Sequence, residues 1–363
     1  MHIGIIGAGQ LGQMLGYAAR ELGHSCFYLD PSEHPPAAKV GPVIQARFDD
    51  RVALTVLADK CDVLTYEFEN VPVEALADIA DLKPIYPPPE ALRHAQDRLA
   101  EKQLFESLGI PLPNYVAVDT PEDLQKAIGS IGLPLVLKTR RLGYDGKGQF
   151  VLRSAEQFDA AWQALGGREL IAEQWIPFDY EVSAIGVRNI KGETATYCLT
   201  QNEHADGILR TSRAPVEDAA LAKQADRHMQ RLLERLDYVG GLALELFVAN
   251  GELLANEFAP RVHNSGHWTI EGATTSQFAN HILAITGETP GATATRGYAG
   301  MVNLIGEIPE AARQDNEGCL HDYGKAPRQG RKLGHITVVA ESSEDRDRQI
   351  SKLVAYVTKS TAE

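Results

Sequence analysis

Positive charge is what this chain has least of. Its 363 residues include 35 lysines and arginines against 49 aspartates and glutamates, a formal net charge of −14. Tracking a nucleic-acid backbone needs clustered cations, so wholesale nucleic-acid binding is excluded, while a local cationic pocket is still allowed. Long apolar runs are missing too, and no stretch approaches the roughly 20 apolar residues that span a bilayer. Cysteine is scarce: Cys26, Cys61, Cys198 and Cys319 lie far apart, with no CxxC spacing. That argues against a zinc ribbon or a disulfide framework and fits a reducing cytoplasm. The N-terminus enters an apolar strand at once, without the basic flank and cleavage site of a signal peptide. The expectation is a cytoplasmic protein with no nucleic-acid or membrane partner.

The length suits two or three domains at about 150 residues each. Residues 2–95 alternate apolar runs with helical stretches, with strands at His2–Ile6, Cys26–Leu29, Val43–Gln45 and Asp62–Tyr66 and a helix from Gln10 to Leu22. Such alternation predicts a parallel, doubly wound sheet. The proline-rich block 83–89 makes a first boundary. A helix over Asp97–Leu108 leads into a small α+β unit. It contains strand Tyr115–Val118, helix Pro121–Ile131, strand Pro134–Lys138 and a glycine-rich loop, Leu142–Gln149. Further on, long strands run from Glu181 to Leu199. Helical periodicity over Glu217–Leu236 puts Ala222, Ala225, Met229, Leu232, Leu233 and Leu236 on one face.

Gly7-Ala8-Gly9-Gln10-Leu11-Gly12 follows a strand and opens a helix, with Asp30 ending the next strand. Alone, this pattern predicts a dinucleotide-binding oxidoreductase. Its mechanism, close backbone approach and a helix N-terminus facing an anion, serves any phosphate monoester. The motif therefore marks an anion cradle or a tight structural turn as readily as a nicotinamide site.

A second glycine loop, Gly143-Tyr144-Asp145-Gly146-Lys147-Gly148-Gln149, follows Lys138 at a strand end. It is not a P-loop, yet free backbone N–H groups beside a lysine can clamp a triphosphate. Glu173-Gln174-Trp175-Ile176 reads as a strand end with backbone groups available to an adenine edge. Glu245 and Glu257 flank the Asn250-Gly251 turn. A two-residue turn pairs Glu245 with Asn256, whereas a three-residue turn with a bulge at Gly251 sets Glu245 opposite Glu257. Carboxylates so placed repel unless a divalent cation lies between them. Ala259-Pro260-Arg261-Val262-His263-Asn264-Ser265-Gly266-His267 is dense in polar groups and suited to a small oxyanion. His263 and His267 are four apart, but no third zinc ligand accompanies them.

In this order, Lys138, Gly143–Gln149, Glu173–Ile176, Glu181, Glu245 and Asn256-Glu257 resemble the ATP-grasp superfamily. GYDGKGQ, Asp206–Ser212, Ala259–His267 and Gly330–His335 resemble its N5-carboxyaminoimidazole ribonucleotide synthetase family, and the resemblance covers essentially the whole chain. It implies an α/β plus α+β, ATP-grasp architecture. A Rossmann-like domain would occupy 1–96, a linker helix and lid 97–178, the catalytic core 179–294, and a C-terminal segment packing on that core 295–363. The implied reaction is carboxylation of 5-aminoimidazole ribonucleotide with bicarbonate and ATP, through carboxyphosphate, in purine (IMP) biosynthesis. A homodimer and one or two Mg²⁺ ions are implied as well.

The resemblance also distributes roles. Arg98 and Lys138 would touch ATP phosphates under the Gly143–Gln149 loop. Glu173, Gln174, Trp175 and Ile176 would line the adenine pocket, Glu181 would take the ribose hydroxyls, and His204 and Asn256 would border the nucleotide. Glu245 and Glu257 would hold the metal. Arg261, His263 and Asn264 would meet bicarbonate, with His263, His267 and Asp145 open as general base. By similarity to a sister transformylase, Gln10, Leu11, Glu67, Lys325, Arg331 and Lys332 would bind the ribonucleotide. One departure stands out. Many ATP-grasp enzymes place a metal-ligating Asn two residues after the second Glu, and here that residue is Ala259. The rival readings are another ATP-grasp carboxylate–amine ligase and an NAD-binding oxidoreductase.

Overall fold

The computed structural model describes residues 1–143, 148–314 and 317–360. The N-terminal sheet is parallel, in the order Val43–Gln45, Ser25–Asp30, His2–Ile6, Val63–Tyr66. Its central strands are apolar nearly throughout, as strands covered on both faces must be. The proline-rich block does not leave this sheet directly, since Ile85 makes a parallel bridge to Leu64.

The second unit is a four-stranded antiparallel sheet ordered Tyr115–Val118, Leu170–Gln174, Leu135–Thr139, Gln149–Leu152. Helix Pro121–Ile131 packs on it, started by a capping box between Thr120 and Asp123. The helix before this unit, Arg98–Ser107, is capped by Asp97, whose carboxylate accepts from the Leu99 and Ala100 N–H groups.

The third sheet has nine antiparallel strands among the described residues. Its main path runs Glu252–Ala259, Gly240–Ala249, Tyr180–Arg188, Thr200–Ala205, Ile208–Ala214, Tyr298–Ile305, Lys332–Ala340, Cys319–Asp322. The C-terminal segment, expected to pack on the core, contributes strands to the same sheet. Strand Ile208–Ala214 would otherwise end the sheet with unpaired backbone groups, and Tyr298–Ile305 pairs directly with it. Helix Ser343–Ser360 covers the extension, placing Ile350 and Leu353 against Val302, Leu304, Ile336 and Val338.

Helix Ala219–Arg235 starts two residues later than its periodicity suggested, because the Asp218 side chain caps it. Its buried stripe includes Leu221, with Ala222 only half-buried at the margin. The stripe joins Leu244, Leu246, Leu253 and Phe258 in the largest apolar cluster. No helix among the described residues is long and apolar enough to cross a membrane.

Leu232, fully buried in that cluster, sets a test of the packing. Leu232→Ala should destabilise the chain by about 2–5 kcal/mol, read as a fall in the denaturant midpoint at unchanged slope. A loss under about 1 kcal/mol would show that the helix does not carry the core.

Candidate active site

A cleft of ≈ 390 Å³ opens where the three sheets meet. Of the residues singled out in the sequence it gathers Arg98, Lys138, Gly143, Gln149, Glu173, Gln174, Trp175, Ile176, Glu181, His204, Glu245, Asn256, Glu257, Arg261, His263, Asn264 and Lys332. Tyr144, Asp145, Gly146 and Lys147 lie outside the described residues. Gly148 stands just behind the cleft at φ +72°, where an added Cβ would meet the Thr139 hydroxyl at 2.7 Å.

The Glu245–Glu257 pair is built by a route the sequence reading did not contain. Asn250 and Gly251, both at positive φ, form a two-residue turn that pairs Ala249 with Glu252. The bulge comes later, where Asn256 is the extra residue, and it shifts the register so that Glu245 faces Glu257. Each carboxylate then has its own partner. Arg98 donates to Glu257 Oε2 at 2.9 Å. His263 Nε2 lies 3.1 Å from Glu245 Oε1. Burial and the facing Glu257 raise the Glu245 carboxyl to about 7. At Glu257 burial also opposes the charge, but Arg98 outweighs it and the net shift is downward.

The helix carrying Arg98 does more than supply one cation. Arg98, Glu101 and Lys102 share its inner face by helical spacing and meet three consecutive residues of the bulged strand. Lys102 Nζ donates to the Asn256 carbonyl, Arg98 holds Glu257, and Glu101 accepts the Phe258 N–H at 2.7 Å. Lys102 also lies 3.5 Å from Glu173 Oε2, which Lys138 Nζ meets at 3.0 Å. Burial alone would push the Glu173 carboxyl up, yet Lys102 and Lys138 hold it down at about 2. Burial lowers Lys138. Glu101 and Lys102 were missed in the sequence, although their i+3 and i+4 spacing from Arg98 was a readable signal.

The Ala259–His267 loop is less free than its polarity suggested. Arg261 donates to Glu69 Oε2 through Nε and a terminal nitrogen, at 3.1 and 2.5 Å. Asn264 exchanges two amide hydrogen bonds with Asn303, at 3.1 and 2.7 Å. Burial and the nearby Arg261 hold His263 well below its ordinary value. His267 corrects an expectation: it is 1% exposed and lies behind the cleft, packed against the His335 and Phe278 rings. A base so enclosed cannot reach a bound substrate. Glu69, also missed, sits just past the end of strand Val63–Tyr66, where parallel sheets collect ligand-binding groups. Across the cleft His204 Nδ1 lies 2.8 Å from Glu181 Oε2, with a register shift between Glu203 and His204 in its strand.

The first glycine motif is already occupied by the protein itself. Gly9 N–H donates to Glu67 Oε1 at 2.8 Å and Ala8 N–H to Asp30 Oδ2 at 2.9 Å. Asp30 also accepts from Ser32 N–H, so the acid expected on a nicotinamide ribose is committed internally. A Cβ at Gly7 or Gly9 would strike Glu67 at 2.7–2.8 Å. Gln10 and Leu11 begin the helix beyond this turn. There Lys325 Nζ donates to Gln10 Oε1, and burial with Arg331 nearby lowers Lys325 to about 8. Arg331 Nη donates to the Ala326 carbonyl at 3.2 Å, and Lys332 opens the next strand and reaches the cleft.

Known proteins share both the architecture and the sequence. Residues 1–96 match a ribonucleotide synthetase preATP-grasp domain, 103–278 an ATP-grasp domain, and 299–349 a phosphoribosylaminoimidazole carboxylase C-terminal domain. The N5-carboxyaminoimidazole ribonucleotide synthase of Pseudomonas aeruginosa is 46% identical over 359 residues, covering 98% of this chain and 99% of that protein. The chain belongs to the N5-carboxyaminoimidazole ribonucleotide synthase family. The synthetase of this name from Thermus thermophilus superposes with a TM-score of 0.94 at 50% identity, over 98% of each chain. A synthase of this family from Aspergillus clavatus, solved with ADP and 5-aminoimidazole ribonucleotide, superposes with a TM-score of 0.91 at 31% identity, over 99% of this chain and 98% of that one. Members of the family are ATP-dependent ligases of the ATP-grasp fold, and this chain has that fold throughout.

The Glu173 cluster predicts an acid response. A carboxyl held near 2 instead of its ordinary 4.5 contributes stability above the unfolded value, lost as pH falls from 4.5 towards 2. Lys102→Met should remove about 3 kcal/mol at pH 7 by stripping one cation from a buried carboxylate. It should also flatten the loss of stability on acidification. Equal denaturant midpoints for the variant and the parent at pH 7 would show that Lys138 alone satisfies Glu173.

Proposed function

We infer that this chain is an ATP-dependent ligase that carboxylates 5-aminoimidazole ribonucleotide to N5-carboxyaminoimidazole ribonucleotide in purine biosynthesis. The observation that carries this reading is family membership over essentially the full length; a cleft lined by Arg98, Lys138, Glu245, Glu257 and Arg261 supports it. ATP occupies the space between the two antiparallel sheets. Arg98 and Lys138 face its phosphates. The buried Glu173 Oε1, which lacks a hydrogen-bond partner, is an acceptor suited to an exocyclic amine such as that of adenine. Gln174, Trp175 and Ile176 form the adjoining wall, and Glu181, with His204 beside it, accepts from the ribose hydroxyls.

The Glu245–Glu257 pair fits a divalent cation. Facing buried carboxylates, one of them raised above its ordinary value by burial and the other's charge, would hold Mg²⁺, which would supply charge neutralisation for the transferred phosphoryl group. With Glu257 given to the ion, Arg98 would be available to a phosphate. Arg261 offers bicarbonate a guanidinium that Glu69 keeps aimed into the cleft. Attack of a bicarbonate oxygen on the γ-phosphorus gives carboxyphosphate and ADP. The ribonucleotide amine then attacks the carboxyl carbon, the C–O bond to phosphate breaks, and inorganic phosphate and the amine proton leave, in a site from which water is excluded.

The ribonucleotide lies towards the N-terminal domain. Lys325, Arg331 and Lys332 meet its 5′-phosphate together with the Gln10 and Leu11 N–H groups, and Glu67 meets a ribose hydroxyl. We also propose the division at 96, 178 and 294 as functional segments, and a homodimer, which light scattering would test.

The reaction is tested by ADP release from Mg-ATP, omitting bicarbonate or the ribonucleotide in turn. Release should need the ribonucleotide, and labelled bicarbonate carbon should appear in the product. Stimulation by another amine, with none by the ribonucleotide, would leave only the ATP-grasp scaffold standing. Glu257→Gln should cut kcat by at least about a hundredfold with circular dichroism unchanged. Retained turnover would remove the metal hairpin.

A further inference from the structure

Beneath the Ala259–His267 loop a string of buried polar side chains crosses the large sheet and ends at Glu245. It begins at Ser212 on strand Ile208–Ala214, whose hydroxyl lies 2.8 Å from Asn202 Oδ1. Asn202 Nδ2 lies 3.0 Å from Ser183 Oγ, and Ser183 Oγ lies 2.8 Å from Ser265 Oγ. Ser265 Oγ lies 2.9 Å from His263 Nδ1, and His263 Nε2 reaches Glu245 Oε1. The three serines are fully buried and Asn202 is 6% exposed.

Valence gives the string one direction. The Ser265 backbone N–H points at His263 Nδ1 from 3.3 Å. An N–H cannot accept, so Nδ1 carries the lone pair and the ring hydrogen sits on Nε2. The Ser265 hydroxyl facing the same nitrogen must therefore donate its single proton there, and must accept from Ser183. Ser183, its own proton now used, must accept from the Asn202 amide. That turns the Asn202 oxygen to Ser212, which donates to it. Every link donates towards Glu245.

We propose that Asn202, Ser183 and Ser265 are positioning residues for catalysis, acting through His263: they hold its imidazole as the Nε2–H tautomer and so fix the orientation of Glu245. This rests on the reading of Glu245 as part of the metal-binding pair. The two carboxylates are thereby held by different means. Glu257 has a cation, Arg98, whereas Glu245 has an imidazole donor backed by buried dipoles that reinforce one another. A satisfied polar core would also bury these groups, but it has no need of a single direction ending on a functional carboxylate. Groups of this kind, behind a first ligand, commonly set its tautomer and geometry.

The test uses the full chain with ¹⁵N-labelled histidine. The parent should show His263 with a bare Nδ1 and a protonated Nε2. Ser265→Ala removes the hydroxyl, and Asn202→Asp puts an acceptor-only group two side chains further back. Both should mix the tautomers and lower kcat about tenfold or more, with KM for the ribonucleotide within about twofold, and Asn202→Asp, which buries a carboxylate without a cation, should also lower the thermal midpoint. The Asn202→Asp result is decisive, because it alters nothing that touches the imidazole. A parent with Nδ1–H, or variants that keep the pure signature and the parent kcat, overturns the proposal. Full activity in Glu245→Gln would instead sink the metal reading while leaving the tautomer readable, so the two failures are distinct. If Ser265→Ala does not fold, Ser183→Ala and the parent spectrum still decide.

Discussion

Two glutamates face each other across a hairpin, and the surrounding charges are organised by that conflict. A carboxylate opposite a carboxylate is unfavourable in any sheet, and enclosure in a cleft sharpens the repulsion. The chain accepts it because one extra residue, Asn256, shifts the register between the strands. Without that bulge Glu257 would turn to the other face and Glu245 would have no facing acid. Partners come from elsewhere in the chain: the Arg98 cation of helix Arg98–Ser107 for Glu257 and the His263 imidazole of the Ala259–His267 loop for Glu245.

The same helix explains how an irregular edge strand is kept in place. Strand Glu252–Ala259 ends the nine-stranded sheet, and an edge strand presents unpaired backbone groups. Here those groups are taken internally. Ala255 N–H donates to the Pro111 carbonyl, Phe258 N–H to Glu101, and Lys102 takes the Asn256 carbonyl. Because Lys102 also meets Glu173, a strand of the small sheet and the Glu245–Glu257 hairpin are tied to one ammonium group. Two walls of the cleft thus share a fixed point.

Much of this was legible beforehand, for reasons that can be named. Apolar alternation located the parallel strands and the amphipathic helix because burial imposes those periods directly. The order of Lys138, Glu173, Glu181, Glu245 and Glu257 along the chain singled out residues that the fold does bring to one cleft. What escaped were interactions between distant segments. Nothing near Glu69 announces its pairing with Arg261, 192 positions away. Ser183 and Ser265 look like ordinary small residues until the fold sets them 2.8 Å apart. The Asn256 bulge was placed at the turn because Asn-Gly draws attention there, whereas helix contacts stabilise it further along. His267 shows the converse error, where proximity in sequence to a functional loop did not imply exposure to it.

The first glycine motif has a consequence for inheritance of function. In this chain the donors that would greet a dinucleotide are spent on Glu67 and Asp30, so the loop is an internally closed turn of the N-terminal domain. Changing its ligand preference would not be a matter of redecorating a pocket. Glu67 fills the space that a Cβ at Gly7 or Gly9 would need, so neither the acid nor the glycines can drift alone. A lineage holding this arrangement is constrained to move them together or not at all, and a pattern search that reads only the glycines sees half of a locked pair.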